Sequence, residues 1–219
     1  METPHIDQLS TQDYESVYEP AEDSFLLLDA LESDLEFIEG ELKPLVCLEI
    51  GPGSGIIITA LSKRLQNSFC FACDINRTAC QVTKRTAARN NVQVECIVGN
   101  LVDAFKSNKV DLLIFNPPYV VTSDDEVLSS ETFGDCTRGN LVHSWAGGKD
   151  GRRIIDILLL KLNEVLSPKG VFYLLLLREN KPDEIIEKLL ELGFEGKKFM
   201  ERRIPGEYLY ILKIERLRS

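Results

Sequence analysis

The chain lacks an apolar run long enough to cross a bilayer, a leader-like hydrophobic segment at its start and any excess of basic charge. Its longest apolar stretches, 154–162 and 171–177, fall short of the ~20 residues that a spanning helix needs. The opening stretch, METPHIDQLSTQDYE, is polar and acidic, with no apolar core of a secretion signal. A soluble protein of the cytoplasm, and also of the nucleus, is expected, with no membrane partner. Lysine and arginine number 25 against 35 aspartate and glutamate, for a formal net charge of −10. That charge repels nucleic-acid phosphates at long range, so nucleic acid is not the expected partner. The local basic groups, Lys84, Arg85 and Arg89 and the run 197–203, read as solvated faces. Metal chemistry is short of ligands. Six cysteines stand at 47, 70, 73, 80, 96 and 136, mostly inside apolar runs where a thiol acts as a small hydrophobe. The CxxC of Cys70 and Cys73 is joined by no second CxxC and no paired histidine, so no metal is expected. Internal repeats, low-complexity tracts and linkers are missing too. With 219 residues, 44% of them hydrophobic, one domain over 18–219 is expected, preceded by a flexible arm over 1–17.

Within that domain, helical and extended patterns alternate. Phe25, Leu28, Leu31, Leu35 and Ile38 recur near a 3.6-residue period, and Gly40 and Pro44 close that helix. Short apolar runs follow at 45–50, 68–73, 92–98 and 110–115, with helical stretches to about residue 65 and over 76–90. The segment 120–150 is long, polar and aperiodic, the mark of a lid or a disordered stretch. A helix over 151–166, a Ser-Pro-Lys-Gly turn, a strand over 171–177, a helix over 182–192 and two closing strands at 194–200 and 208–214 complete the chain. Strands apolar on both faces, alternating with helices, make a parallel sheet covered on both sides. The short Pro205-Gly206 connection makes one closing strand antiparallel.

Two motifs sit at strand ends. Glu49-Ile-Gly-Pro-Gly-Ser-Gly55 links the first strand to a helix, so glycines permit a tight turn and close approach of a ligand to backbone. It is neither the GxGxxG fingerprint nor a P-loop. Glu49 precedes it, and Asp74 ends the second strand, where a carboxylate can hold ribose hydroxyls. A plain βα turn and a helix-capping aspartate would also fit these residues singly. Taken together with Gly51 and Gly53 they fit a cofactor that carries a ribose, a carboxylate and positive charge, which S-adenosylmethionine does. Asn116-Pro117-Pro118-Tyr119 follows the fourth strand. Successive prolines stiffen the backbone, and Pro117 offers an acceptor carbonyl only. An amide or aromatic amine nitrogen is a weak nucleophile because its lone pair is delocalised. The Asn116 side-chain oxygen and the Pro117 carbonyl can grip its two hydrogens as charge develops, while Tyr119 packs on the planar group. A rigid strand-ending turn is the competing explanation of the prolines.

The NPPY motif together with EIGPGSG resembles the class I methyltransferases of amino and amide nitrogens. Tyr18-Glu-Pro-Ala-Glu-Asp-Ser24 and Trp145-Ala-Gly-Gly-Lys-Asp-Gly151 resemble segments of the eukaryotic and archaeal HemK-like branch. The resemblance implies a Rossmann-like sheet of seven mostly parallel strands with helices on both faces. It implies N5-methylation of the glutamine in the GGQ motif of the eukaryotic release factor, in a heterodimer with a small zinc-binding activator subunit. Ser24, Glu49, Gly51, Asp74, Asn100 and Leu101 match cofactor positions, Asn116 matches cofactor and substrate positions, and Pro117, Pro118 and Tyr119 fall with it on the substrate side. Asn100 stands where the family often has aspartate beside the adenine amino group; asparagine keeps an oxygen acceptor there.

In the implied fold, strand 92–98 is a sheet edge with no proline or lysine and one charge, Glu95, so it lacks ordinary edge protection. The activator is expected to pair along it, unless the N-terminal arm or a helix covers it. The competing functions are adenine-N6 methylation of DNA or RNA, lysine methylation of histones, arsenic methylation and a cofactor-binding scaffold without turnover. The acidic charge opposes the first and an intact NPPY opposes the last.

Overall fold

The computed structural model describes residues 1–105, 107–122 and 147–217. Seven strands form one sheet in the order β3-β2-β1-β4-β5-β7-β6. Strands β1 (Val46–Ile50), β2 (Phe69–Asp74), β3 (Glu95–Val98), β4 (Val110–Phe115) and β5 (Leu166–Leu177) are parallel. The last strand, β7 (Glu207–Arg216), runs antiparallel to both β5 and β6 (Phe194–Ile204). This is the expected seven-stranded, mostly parallel sheet.

Alternate strand residues enter two separate cores, which is why the strands read as unbroken apolar runs. Cys47, Leu112, Ile114, Val171 and Tyr173 pack with helices α2 (Glu22–Ser33) and α3 (Ile56–Arg64). Leu48, Leu113, Phe115, Phe172 and Leu174 pack with α5 (Arg153–Val165) and α6 (Pro182–Glu191) on the opposite face. Cys70 and Cys73 fall into different cores, so the CxxC thiols face opposite sides of β2 and cannot share an ion.

Local chemistry sets the helix ends. Asn76 caps α4 (Arg77–Arg89), its side-chain oxygen accepting from the Thr78 amide at 2.9 Å. At the other end Asn91 is left-handed (φ 56°), the Val92 amide donates to Ala87 and the Asn91 amide to Ala88. These are the two bonds of a Schellman cap. The cap removes Val92 from the expected strand 92–98, and β3 begins only at Glu95. The helix that Gly40 was expected to close continues through Leu35–Phe37 and a π-helical turn, Ile38–Leu42, to left-handed Lys43 (φ 45°). Strand β5 starts earlier than expected. The Ser-Pro-Lys-Gly segment bulges between the pairs Val110↔Leu166 and Leu112↔Val171, inside the strand's bounds.

The arm over 1–17 is laid along α4 rather than projecting from the domain. The His5 amide donates to Asn90 at 2.8 Å, Asp7 pairs with Arg89 at 3.0 Å and Asp13 pairs with Arg85. Short helix α1 (Thr11–Tyr14) lies on the way, and Val17 packs with Ala79 and Val82. The arm therefore delivers Tyr18 beside Gly53, whose missing Cβ would stand 3.7 Å from the Tyr18 carbonyl oxygen. Most of the expected lid, and Trp145, Ala146 and Cys136, lie outside the described residues.

Candidate active site

Strand order reverses between β1 and β4, and ligands of open α/β sheets bind beyond the carboxyl ends of strands at such a point. Ile50 is the register partner of Phe115, so the glycine loop and NPPY leave the sheet side by side. Gly51, Gly53 and Gly55 have φ of 60°, 52° and 77°, a region closed to most side chains. A Cβ on Gly55 would lie 2.8 Å from the Thr83 Cα, so this glycine also lets α3 approach α4.

Glu49 is buried beneath the loop, and its Oε2 accepts from the Ile58 amide at 2.8 Å, in the first turn of α3. Burial pushes its carboxyl up to about 8, opposed by that hydrogen bond and assisted by the nearby Asp74 charge. Asp74 ends β2 and accepts from the Asn76 amide at 2.8 Å. Desolvation raises it to about 6. Two acids at strand ends, both raised by desolvation, suit a site that receives positive charge and hydroxyl donors. Leu101 follows β3 and is buried with φ 47°, a left-handed backbone that a leucine adopts only when its surroundings force it. Asn100 beside it is exposed.

On the NPPY side the structure adds a residue that the sequence did not single out. Asp23, in the first turn of α2, is buried, and its Oδ2 accepts from Asn116 Nδ2 at 2.9 Å and from the Tyr119 hydroxyl at 2.9 Å. Its Oδ1 accepts from the Ser24 amide at 2.6 Å and the Ser24 hydroxyl at 3.2 Å. Tyr18 interacts with both Tyr119 and Asp23, and burial pushes its phenol up to about 12. Burial and the Asp23 charge raise the Tyr119 phenol as well. Among the described residues, Asn116 Oδ1 is buried and has no hydrogen-bond partner. An orphaned buried acceptor is costly, so in a functional cleft it marks where a ligand donor belongs.

The carbonyl side of NPPY is clamped from the far segment. Asn180, fully buried, donates from Nδ2 to the Tyr119 carbonyl at 2.8 Å and to the Asp150 carbonyl at 3.0 Å, while its Oδ1 accepts from the Leu177 amide at 2.6 Å. A Cβ on Gly147 would come within 2.7 Å of the Pro118 carbonyl oxygen, and one on Gly151 within 2.0 Å of the Tyr119 carbonyl oxygen. Pro117 is buried and Pro118 half-buried in this vice. Ser24, Tyr119 and Asn116 thus meet around one carboxylate, and Glu49, Gly51, Gly53, Asp74 and Leu101 line the ends of the neighbouring strands. Asp23 and Asn180 were missed because each acts on residues far away in sequence; the Asp-Ser pair within the 18–24 segment was the available signal for the first.

The chain matches the family model of the methyltransferase small domain over residues 22–138. It is 37% identical to human methyltransferase HEMK2, an alignment covering 96% of this chain and 95% of that one. It is also 37% identical to the Schizosaccharomyces pombe eRF1 methyltransferase catalytic subunit mtq2, over 99% of this chain and 96% of that one. Among solved structures it resembles the E. cuniculi Mtq2–Trm112 complex, described as responsible for methylation of the eRF1 termination factor, with TM-score 0.67 and 29% identity over 92% of this chain and 99% of that one. A glycine loop facing NPPY across the switch point, a full-length match to these relatives and the family model lead to one conclusion: the chain is a methyltransferase of the small-domain family and belongs to its HemK-like branch.

Proposed function

We propose that this enzyme transfers a methyl group from S-adenosylmethionine to the N5 nitrogen of the GGQ glutamine of the eukaryotic release factor, as the catalytic subunit of a heterodimer. The cofactor fits the residues present. Left-handed glycines make a cradle without side chains, Asp74 offers a carboxylate to ribose hydroxyls, and a nearby positive charge would favour the ionised form of the desolvated acids Glu49 and Asp74. Gly51, Gly53, Ser24, Leu101 and the Asn100 side chain complete its surroundings. When bound, it supplies an electrophilic methyl group on a sulfonium.

The observation that carries the reading is the buried, unpartnered Oδ1 of Asn116. Oδ1 and the Pro117 carbonyl accept the two hydrogens of a primary amide and stabilise the charge that grows on its nitrogen. Each such preorganised contact contributes roughly 10²–10³ in rate. Tyr119 is held at its hydroxyl by Asp23, which leaves its ring to flank the planar amide. No strong base is needed before attack, because the proton becomes acidic only as the nitrogen acquires charge.

The activator subunit, a small zinc-binding protein, pairs along β3. This strand ends the sheet, bonds only to β2 among the described strands and leaves Val98 half exposed. Among the described residues the arm makes no backbone hydrogen bond to that edge; its bonds run along α4. Strand addition would satisfy the open backbone groups. The test is transfer of labelled methyl by the co-expressed complex to release factor, to an adenine-containing oligonucleotide and to a histone tail. Label on release factor that disappears when the GGQ glutamine is replaced is the expected result. Label on the oligonucleotide or histone instead would overturn the reading.

A further inference from the structure

Asn116 can present either an oxygen or an amino group to the substrate, because turning its amide about the last side-chain bond exchanges two groups of nearly equal size. A carboxylate has acceptors only. Asp23 Oδ2 faces Asn116 at 2.9 Å, so Nδ2 must point inward and Oδ1 outward. The carboxylate itself cannot turn away. Ser24 holds its other oxygen through backbone and hydroxyl, Tyr119 shares Oδ2, and the first turn of α2 favours an anion.

We infer that Asp23 is the positioning residue that keeps Asn116 an acceptor toward the substrate, and thereby directs the methyl group to the nitrogen rather than the oxygen of the acceptor amide. The inference rests on the reading of the site as an amide N-methyltransferase. A primary amide has the same near-symmetry as Asn116, and its oxygen is the richer atom toward an alkylating agent. An acceptor at Asn116 Oδ1 binds an N–H and repels a carbonyl oxygen, so the amide enters with nitrogen foremost. The nitrogen lone pair then forms the N–C bond as the C–S bond breaks with its pair passing to sulfur, and the nitrogen releases one proton to water. With Asn116 turned round, its amino group would instead bind the substrate oxygen. Attack by that oxygen gives an O-methyl imidate, which water hydrolyses with loss of methanol or ammonia.

Asp23→Asn keeps size and polarity but, with its single oxygen still held by Ser24, turns its own amino group toward Asn116 and so favours the reversed amide. In the full chain with its activator, this variant is expected to lose about 10²-fold in turnover of N-methyl product. Cofactor affinity by calorimetry should fall far less than turnover, because the oxygen that Ser24 holds is retained in the asparagine. The double variant Asp23→Asn, Asn116→Asp restores a donor inside and an acceptor outside, and should recover at least about tenfold of the loss. A purely structural role would not produce that recovery. A substrate-free readout separates this inference from the assignment of substrate. In ¹⁵N spectra of the complex, the Asn116 side-chain amide should be a single, exchange-protected pair of signals that shifts and loses protection in Asp23→Asn. Unchanged amide signals, turnover within about threefold of wild type, or failure of the double variant to recover activity would each overturn the role of Asp23. Intact amide behaviour with no methylation of release factor would sink the substrate reading alone.

Discussion

Two acids with raised protonation points, Glu49 buried and Asp74 half-buried, make the ligand-free site sensitive to pH. Glu49 moves from 4.5 to about 8 and Asp74 from 3.8 to about 6, each mainly through desolvation. A carboxyl raised on folding contributes stability that is full below its ordinary value and is lost as pH rises through its folded value. The ligand-free protein should therefore melt at progressively lower temperature from about pH 4 to about pH 8. Glu49→Gln keeps an acceptor for the Ile58 amide and should flatten that decline, while weakening a cationic cofactor. Melting curves across this range check it; a wild-type profile as flat as the variant's would show that Glu49 is not held protonated. Asp74→Ala should cost about 1.5–3 kcal/mol of cofactor binding, the loss of charge-assisted hydrogen bonds to ribose. Unchanged calorimetric affinity would reduce Asp74 to the turn residue that its bond to Asn76 also describes.

At the scale of elements, the motifs are placed by contacts that no local pattern announces. The glycine loop and NPPY were legible because each ends an apolar strand, and strand ends in a parallel sheet are where ligands bind. Asp23 was not legible, because it reaches Asn116 and Tyr119 across 93 and 96 residues of chain. The β3 boundary was misread because Val92 is apolar in a strand-like pattern yet serves the cap of α4, and hydrogen bonding overrides periodicity there. The arm reads as polar and aperiodic, but it is held to α4 and its cap by the His5 backbone on Asn90 and by the side-chain pairs Asp7–Arg89 and Asp13–Arg85. Gly151 shows how tight the NPPY clamp is. Alanine there carries the left-handed penalty of about 1–2 kcal/mol before any clash with the Tyr119 carbonyl. Gly151→Ala should lower both stability and turnover, as read by denaturant titration and a single-turnover assay; wild-type values in both would mean that NPPY is not clamped from this side. Hydrogen exchange across 92–98 addresses the β3 edge. Protection that rises on adding the activator is expected, and equal protection with and without it would place the interface elsewhere.

At the scale of the whole molecule, the seven-stranded sheet brings the ends of β1, β2 and β4 to one crevice, with Tyr18 set beside Gly53 and α2 carrying Asp23 to NPPY. The two-sided core follows from strands that are apolar on both faces, which is why fold class could be read from sequence before any site residue was certain. What the fold cannot dictate is which nitrogen is methylated; that depends on a few polar atoms at the crevice. The most direct measurement is therefore the position of the methyl group itself. Release factor incubated with the co-expressed complex and S-adenosylmethionine, then digested and sequenced by tandem mass spectrometry, should carry one added methyl on the side-chain nitrogen of the GGQ glutamine. Asn116→Ala should leave that site unmodified while still binding cofactor. A methyl group on any other residue or atom, or undiminished methylation by Asn116→Ala, would contradict the account.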